Sequence, residues 1–327
     1  MLKINYLYPT LSIFSFLLLI PFLANAHTRW FAEGEVMPVV TSEPITSYLA
    51  FCAFVAIVIL VIGMLMEKRG MFRLSFFQPK STNAFSRVSA TFSIIAGTFF
   101  MIAGTHGYLF SPNITYITEI PTWLVMLQFA IGLMFVLGIF ARVAALFLAS
   151  LWFVAVPYAG MESMVENIWV LSTAFFIAVV GNDYFSLVSV KSLKSYAYKL
   201  HSYALPILRV GTGTMLIILG FTEKILKPEL GLNFLAQHNW NFLSSLGVSD
   251  YFFVLMAGST EAFLGLLLVI GVMTRLTTLV TAIIFTIPLF LLGPIELAGH
   301  LPHFAALFMI LLFGAGHHYR LFNRAND

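Results

Sequence analysis

The chain has 327 residues, of which 60% are hydrophobic and only 9% charged, and its formal net charge is +3. A mean hydropathy of +0.95 lies far outside the range of soluble domains, which excludes a soluble enzyme and points to a polytopic membrane protein whose first partner is the lipid bilayer. The small positive excess needs no nucleic-acid partner, because juxtamembrane basic residues face anionic lipid.

Residues 1–26 read as a signal peptide, with Lys3 before an apolar run over 11–23 and Ala24-Asn25-Ala26 as a small-residue cleavage site. An uncleaved first helix is the alternative. Either way a 27–44 segment begins outside at His27. Beyond it, apolar stretches long enough for helical spans fall at 45–66, 88–109, 121–140, 143–159, 166–181, 204–223, 251–272, 276–293 and 302–316. None alternates like a barrel strand, so the expected fold is all-α, with nine spans in the mature chain.

Charge is sorted between the loops. The basic residues of 68–87, Arg142, those of 191–199, Arg209, Arg275, Arg320 and Arg324 collect on one side, and most acidic residues on the other. The positive-inside rule then puts the C-terminal tail, 319–327, in the cytoplasm and the mature N-terminus in the periplasm. The single cysteine, Cys52, excludes a C-x-x-C thiol relay.

The chain also matches itself. Residues 138–146 (GIFARVAAL) align with 271–279 (GVMTRLTTL), which sets Gln128 against Glu261 and Gly132 against Gly265. Upstream, Arg87-Val88 aligns with Arg209-Val210, each followed by a glycine, Gly97 and Gly220; downstream, Glu162 aligns with Glu296. This predicts two four-helix repeats, 84–185 and 204–318, after a leading helix at 45–66, with a linker over 183–203. Because the halves share one topology, a symmetry axis would run along the membrane normal.

The second half resembles the DoxX-like family of four-helix membrane proteins, which includes proteins similar to the thiosulfate:quinone oxidoreductase small subunit. Arg209, Gly213, Gly220, Lys224, Glu261, Gly265, Gly271 and Arg275 carry the resemblance. It covers about 204–318 and fades over 84–185, where nothing matches Lys224. It implies quinone-linked or redox-associated work at a bacterial plasma membrane, with a soluble or membrane redox partner. Fold analogy alone does not select among the functions of a mixed family.

Two sets of residues could carry chemistry. Glu261 sits mid-span, where a carboxyl costs about 2.5 to 3.5 kcal/mol on insertion scales. It should face the bundle interior, paired with Lys224 or hydrogen-bonded to Thr260 or Thr212. A quinone-headgroup or proton-relay role competes with that of polar glue between helices. The second set is histidine-rich. Cleavage after Ala26 would give His27 a free α-amine beside its imidazole, two nitrogen donors that suit Cu(II), with His106, His300, His303 and Glu296 as further ligands. Pro302 suits a helix first turn, which puts His303 just inside the last span and His300 before it. Interfacial capping is the competing reading for each of these histidines.

No P-loop, nucleophile elbow or dinucleotide fingerprint occurs, which disfavours an ATPase, a serine hydrolase and an NAD enzyme. Three functions remain open: a quinone-associated membrane subunit, a periplasm-facing copper-binding or transport protein, and a non-catalytic membrane scaffold.

Overall fold

The apolar stretches fold as helices. In the computed structural model, which describes residues 43–71, 73–115, 120–293 and 295–322, no β-strand occurs among the described residues. The helices are α1 (Ile45–Lys68), α2 (Ala84–Thr105), α3 (Thr122–Leu137), α4 (Ala141–Ala159), a short α5 (Met161–Glu166) and α6 (Trp169–Val180). They continue with α7 (Lys191–Leu219), which runs into a π-helical turn at Gly220–Ile225, then α8 (Pro228–His238), α9 (Asp250–Ile270), α10 (Thr274–Leu292) and α11 (Ile295–Phe313). Among the described residues, five helices are long and apolar enough to cross a membrane, and four shorter apolar ones accompany them. The signal peptide, His27 and the end of the tail lie outside the described residues.

Two bundles form. In the first, α2 packs on α3, α3 on α4, α4 on α6 and α6 on α2; in the second, α7, α9, α10 and α11 close the same ring. The bundles join reciprocally: α6 lies against α7, and α11 lies against α2. The leading α1 stands outside both, against α9.

Small residues set how closely the helices approach, as expected where apolar lipid supplies no hydrophobic drive between them. A Cβ at Gly97 would fall 2.6 Å from the Gly132 carbonyl oxygen, and one at Gly213 would fall 2.6 Å from that of Gly265. These contacts differ from those that the upstream alignment of Gly97 with Gly220 implies. The partner of Gly265 is Gly213, whereas Gly220 meets Gly258, so Gly97 corresponds in contact to Gly213 and not to Gly220. Arg87 is exposed, while Arg209 is 0% exposed and donates to carbonyl groups of Val269, Ala315 and Tyr319 at 2.9, 3.1 and 2.6 Å. Arg209 is therefore an internal tie between helix ends and not the surface cation that the charge pattern suggests.

The joints between α3 and α4 and between α9 and α10 share a backbone turn. Gly138 and Gly271 adopt φ of 63° and 70°, and Phe140 and Met273, two residues later, adopt 48° and 46°. The arginine that follows each turn reaches across its bundle. Arg142 donates to the Val180 carbonyl at 2.8 Å and bidentately to Asp183 at 2.8 and 3.0 Å; Arg275 donates to the Leu311 and Leu312 carbonyls at 3.0 and 3.3 Å. Each satisfies helix-terminal carbonyls that have no intrahelical donor.

Two boundaries differ from those read in the sequence. The 183–203 linker is helical from Lys191, because 191–203 is amphipathic and continues through Pro206 as one helix. The last helix begins at Ile295 rather than near Pro302, which sits inside it. Burial of Ala298 and Leu301 outweighs the proline's lost donor.

Candidate functional site

The π-helical turn ends α7 with Glu223 and Lys224 side by side. Wider turns of this kind alter which residues share a face and recur at functional sites. Here both charged residues line one cavity, with Met215, Leu216 and Leu219 of the preceding turns below them. The packed α9 adds Thr260 and Glu261 to the lining. The Lys224 Nζ donates to Glu261 Oε2 at 2.6 Å and lies 3.9 Å from Glu223 Oε2. Side-chain exposures of 14% for Lys224 and 16% for Glu261 make this a largely desolvated pair, whose attraction must offset a desolvation cost of several kcal/mol per ion. The sequence expectation that Glu261 pairs with Lys224 is met by this geometry.

The cavity measures about 470 Å³, within the range of small-molecule sites. Its wall is mostly apolar, from α7, α9 and α10. Its remaining polar groups converge from three directions. On α11, His300 and His303 lie one turn apart, their ring centroids separated by 6.3 Å, with Phe285 of α10 5.3 Å from His300. From the first bundle come Glu166, Asn167 and Trp169, and the 111–113 loop closes over them. Asn167 is held there by its own bonds: its Nδ2 donates to Ser111 Oγ at 2.9 Å and to the Ser163 carbonyl at 2.8 Å, and its Oδ1 accepts from Trp169 Nε1 at 3.2 Å. Trp169 in turn packs 5.0 Å from the His303 ring. Outside the mouth, Lys227 pairs with Glu162 and ties the end of α7 to α5.

The first bundle is closed around Gln128, the residue that the sequence alignment sets against Glu261. Gln128 of α3 is 0% exposed; its Oε1 accepts from the Phe110 N–H at 2.8 Å and its Nε2 donates to the Tyr108 carbonyl at 3.1 Å. Phe99, Phe100, Phe110 and Phe135, all 0% exposed, fill the surrounding space. A neutral amide with backbone partners inside an aromatic core stands where the other bundle has an ion pair beside a cavity.

The histidine expectations fare differently. His300 and His303 come together because α11 starts early and makes both helical. His106 caps α2, its ring 6.4 Å from that of Tyr108, and is not among the cavity-lining residues; the helix that carries it ends over the first bundle and not the second. Among the described residues, no group of three or more His, Cys, Asp or Glu side chains is placed to hold a metal ion. His27 and the Glu296 side chain lie outside the described residues.

Sequence reasoning did not single out Glu223, because a carboxyl at the end of an apolar span carries a weaker signal than the mid-span Glu261. Asn167, Trp169 and Ser111 gave none, since only the docking of the two bundles makes them neighbours of Lys224. Comparison of the chain with family models, curated proteins and solved structures finds no match.

Proposed function

We propose that the chain is a DoxX-like protein of a bacterial plasma membrane that binds a quinone-type headgroup in the cavity of its second bundle. The observation that carries this reading is the Lys224–Glu261 pair at the wall of a mostly apolar cavity of about 470 Å³. Such a wall accommodates an apolar ring. A lysine ammonium donates to a ring carbonyl, and a carboxyl beside it accepts from or gives a proton to the ring oxygen. His300 and His303 supply imidazoles at a second wall. In this reading a redox partner delivers the electrons, and the chain's own groups hold the headgroup and exchange protons with it.

The same proposal includes nine spans, a periplasmic mature N-terminus and a duplicated four-helix unit. Supporting the duplication are the reciprocal joins of α6 with α7 and α11 with α2, the shared left-handed turns and the matched glycine contacts. Gly104 approaches Phe129, the residue after Gln128, and Gly220 approaches Ala262, the residue after Glu261. On that view one copy kept an open polar site and the other closed it with Gln128.

Trp169 and Trp240 both line the cavity and provide the readout. Titration with a short-tailed quinone should quench tryptophan fluorescence saturably in the wild type, and at least tenfold more weakly in Glu261→Gln. Quenching that is non-saturable, or equal in the two proteins, would count against the reading.

A further inference from the structure

Helix α1 is tied to the second bundle at both ends. Near its start, the Ser249 hydroxyl donates to Glu43 at 2.7 Å, and the Tyr48 ring stacks on Phe252 with centroids 4.3 Å apart. Near its end, the Met273 N–H donates to Glu67 at 2.9 Å, and Gly63 lies against Val272 and Met273. Between these ties α1 does not close on α9 and α10. A groove of about 520 Å³ runs beneath it, walled by side chains such as Val55, Ile59 and Phe263, with Ser259 and Thr277 as minor polar elements.

The groove and the headgroup cavity share a wall. Met256, Thr260 and Leu264 line both, four residues apart along one ridge of α9. On α10 the neighbours Val280 and Thr281 divide between them, Val280 lining the groove and Thr281 the cavity. The two hollows thus meet at the seam between α9 and α10. One is apolar and opens beneath a helix that is only 6% buried; the other is apolar with a charged end.

We propose that the ligand is a lipid-tailed amphiphile whose head rests at Lys224–Glu261 and whose hydrocarbon tail crosses the α9–α10 seam to lie in the groove beneath α1. The proposal rests on the reading of the cavity as a headgroup site. It names the ligand class more narrowly, as a long-tailed prenylquinone rather than a small water-soluble one. In lipid the tail gains no hydrophobic energy by moving from bilayer to groove. What the groove provides is a route: the head passes from the bilayer interior to the ion pair without crossing water, and the tail remains in apolar surroundings throughout.

Native mass spectrometry of the full chain released from mild detergent tests this. One tailed amphiphile per chain is expected on the wild type, lowered at least tenfold by Ala56→Trp, which fills the groove from α1. It should be retained by Ala53→Trp on the exposed face of the same helix. Should Ala56→Trp fail to fold, Ile59→Trp fills the groove at another position. A wild type with no tailed adduct, or an adduct that groove filling leaves untouched, overturns the proposal. The mass of the adduct separates this outcome from failure of the quinone reading. A tailed adduct that is not a prenylquinone but is lost on groove filling removes the quinone and keeps the groove. Equal binding of a tail-less quinone to the wild type and Ala56→Trp, with no tailed adduct, keeps the cavity and removes the groove.

Discussion

Glu261 accepts a 2.6 Å bond from Lys224 at the edge of a cavity, whereas Gln128 of α3, the residue aligned with Glu261 in the sequence, accepts from the Phe110 N–H at 2.8 Å in a filled core. One arrangement leaves charge next to open space. The other leaves neither. That contrast places the functional reading in the second bundle.

The ion pair should be costlier to break than to remove. Lys224→Met leaves Glu261 desolvated without its cation and should destabilise by about 3–5 kcal/mol. Lys224→Met/Glu261→Met should recover part of that stability, because of the two carboxyls facing Lys224 only Glu223, at 3.9 Å, still lacks that cation, yet recover no ligand binding. Thermal unfolding in detergent, together with quinone titration, separates the two effects. A double variant no more stable than the single one would mean that the pair is not an isolated unit.

Gln128→Leu should do the reverse. It strands the buried Phe110 N–H and Tyr108 carbonyl, a loss of about 1–3 kcal/mol for each group left unsatisfied, while quinone affinity stays within twofold of the wild type. A large loss of affinity without loss of stability would move the site toward the first bundle.

Gly213→Ala puts a methyl against the Gly265 carbonyl and should cost about 1–3 kcal/mol through overpacking, as should Gly97→Ala against Gly132. Unfolding midpoints of both variants check this. These glycines also mark how far the sequence was legible. The GIFARVAAL match set Gly138 against Gly271, and both adopt the same left-handed turn, but the spans read from the sequence, 121–140 and 251–272, ran one to three residues past the observed helix ends. That Gly97 meets Gly132 as Gly213 meets Gly265 was not legible, since only helix packing fixes which glycines face each other. Glu261 and Lys224 could be read as partners from the expense of charge in lipid. Asn167, Trp169 and the groove beneath α1 arise from contacts between distant segments and leave no local trace. Pro302 misled for a related reason: its preference for a first turn is local, and tertiary burial overrode it.

Asp183 sits after α6, where burial raises its carboxyl pKa but the hydrogen bonds and charges of Arg142 and Lys194 lower it further, so that it stands below the ordinary carboxylate value. The sign follows. A depressed folded pKa contributes stability in full above the unfolded value of about 4 and loses it as pH falls through the folded value. Asp183→Asn should therefore lower the unfolding midpoint at pH 7, and the gap from the wild type should narrow as pH falls below 4. A gap that is constant down to acid pH would contradict the ion-pair account.

The most direct measurement is the quinone content of the purified chain, extracted into organic solvent and quantified for the wild type and for Glu261→Gln, which gives the second bundle the residue found in the first. The account predicts close to one quinone per wild-type chain and at least tenfold less in Glu261→Gln, measured at a temperature where both proteins remain folded. A quinone-free wild type, or equal quinone in both proteins, would contradict it.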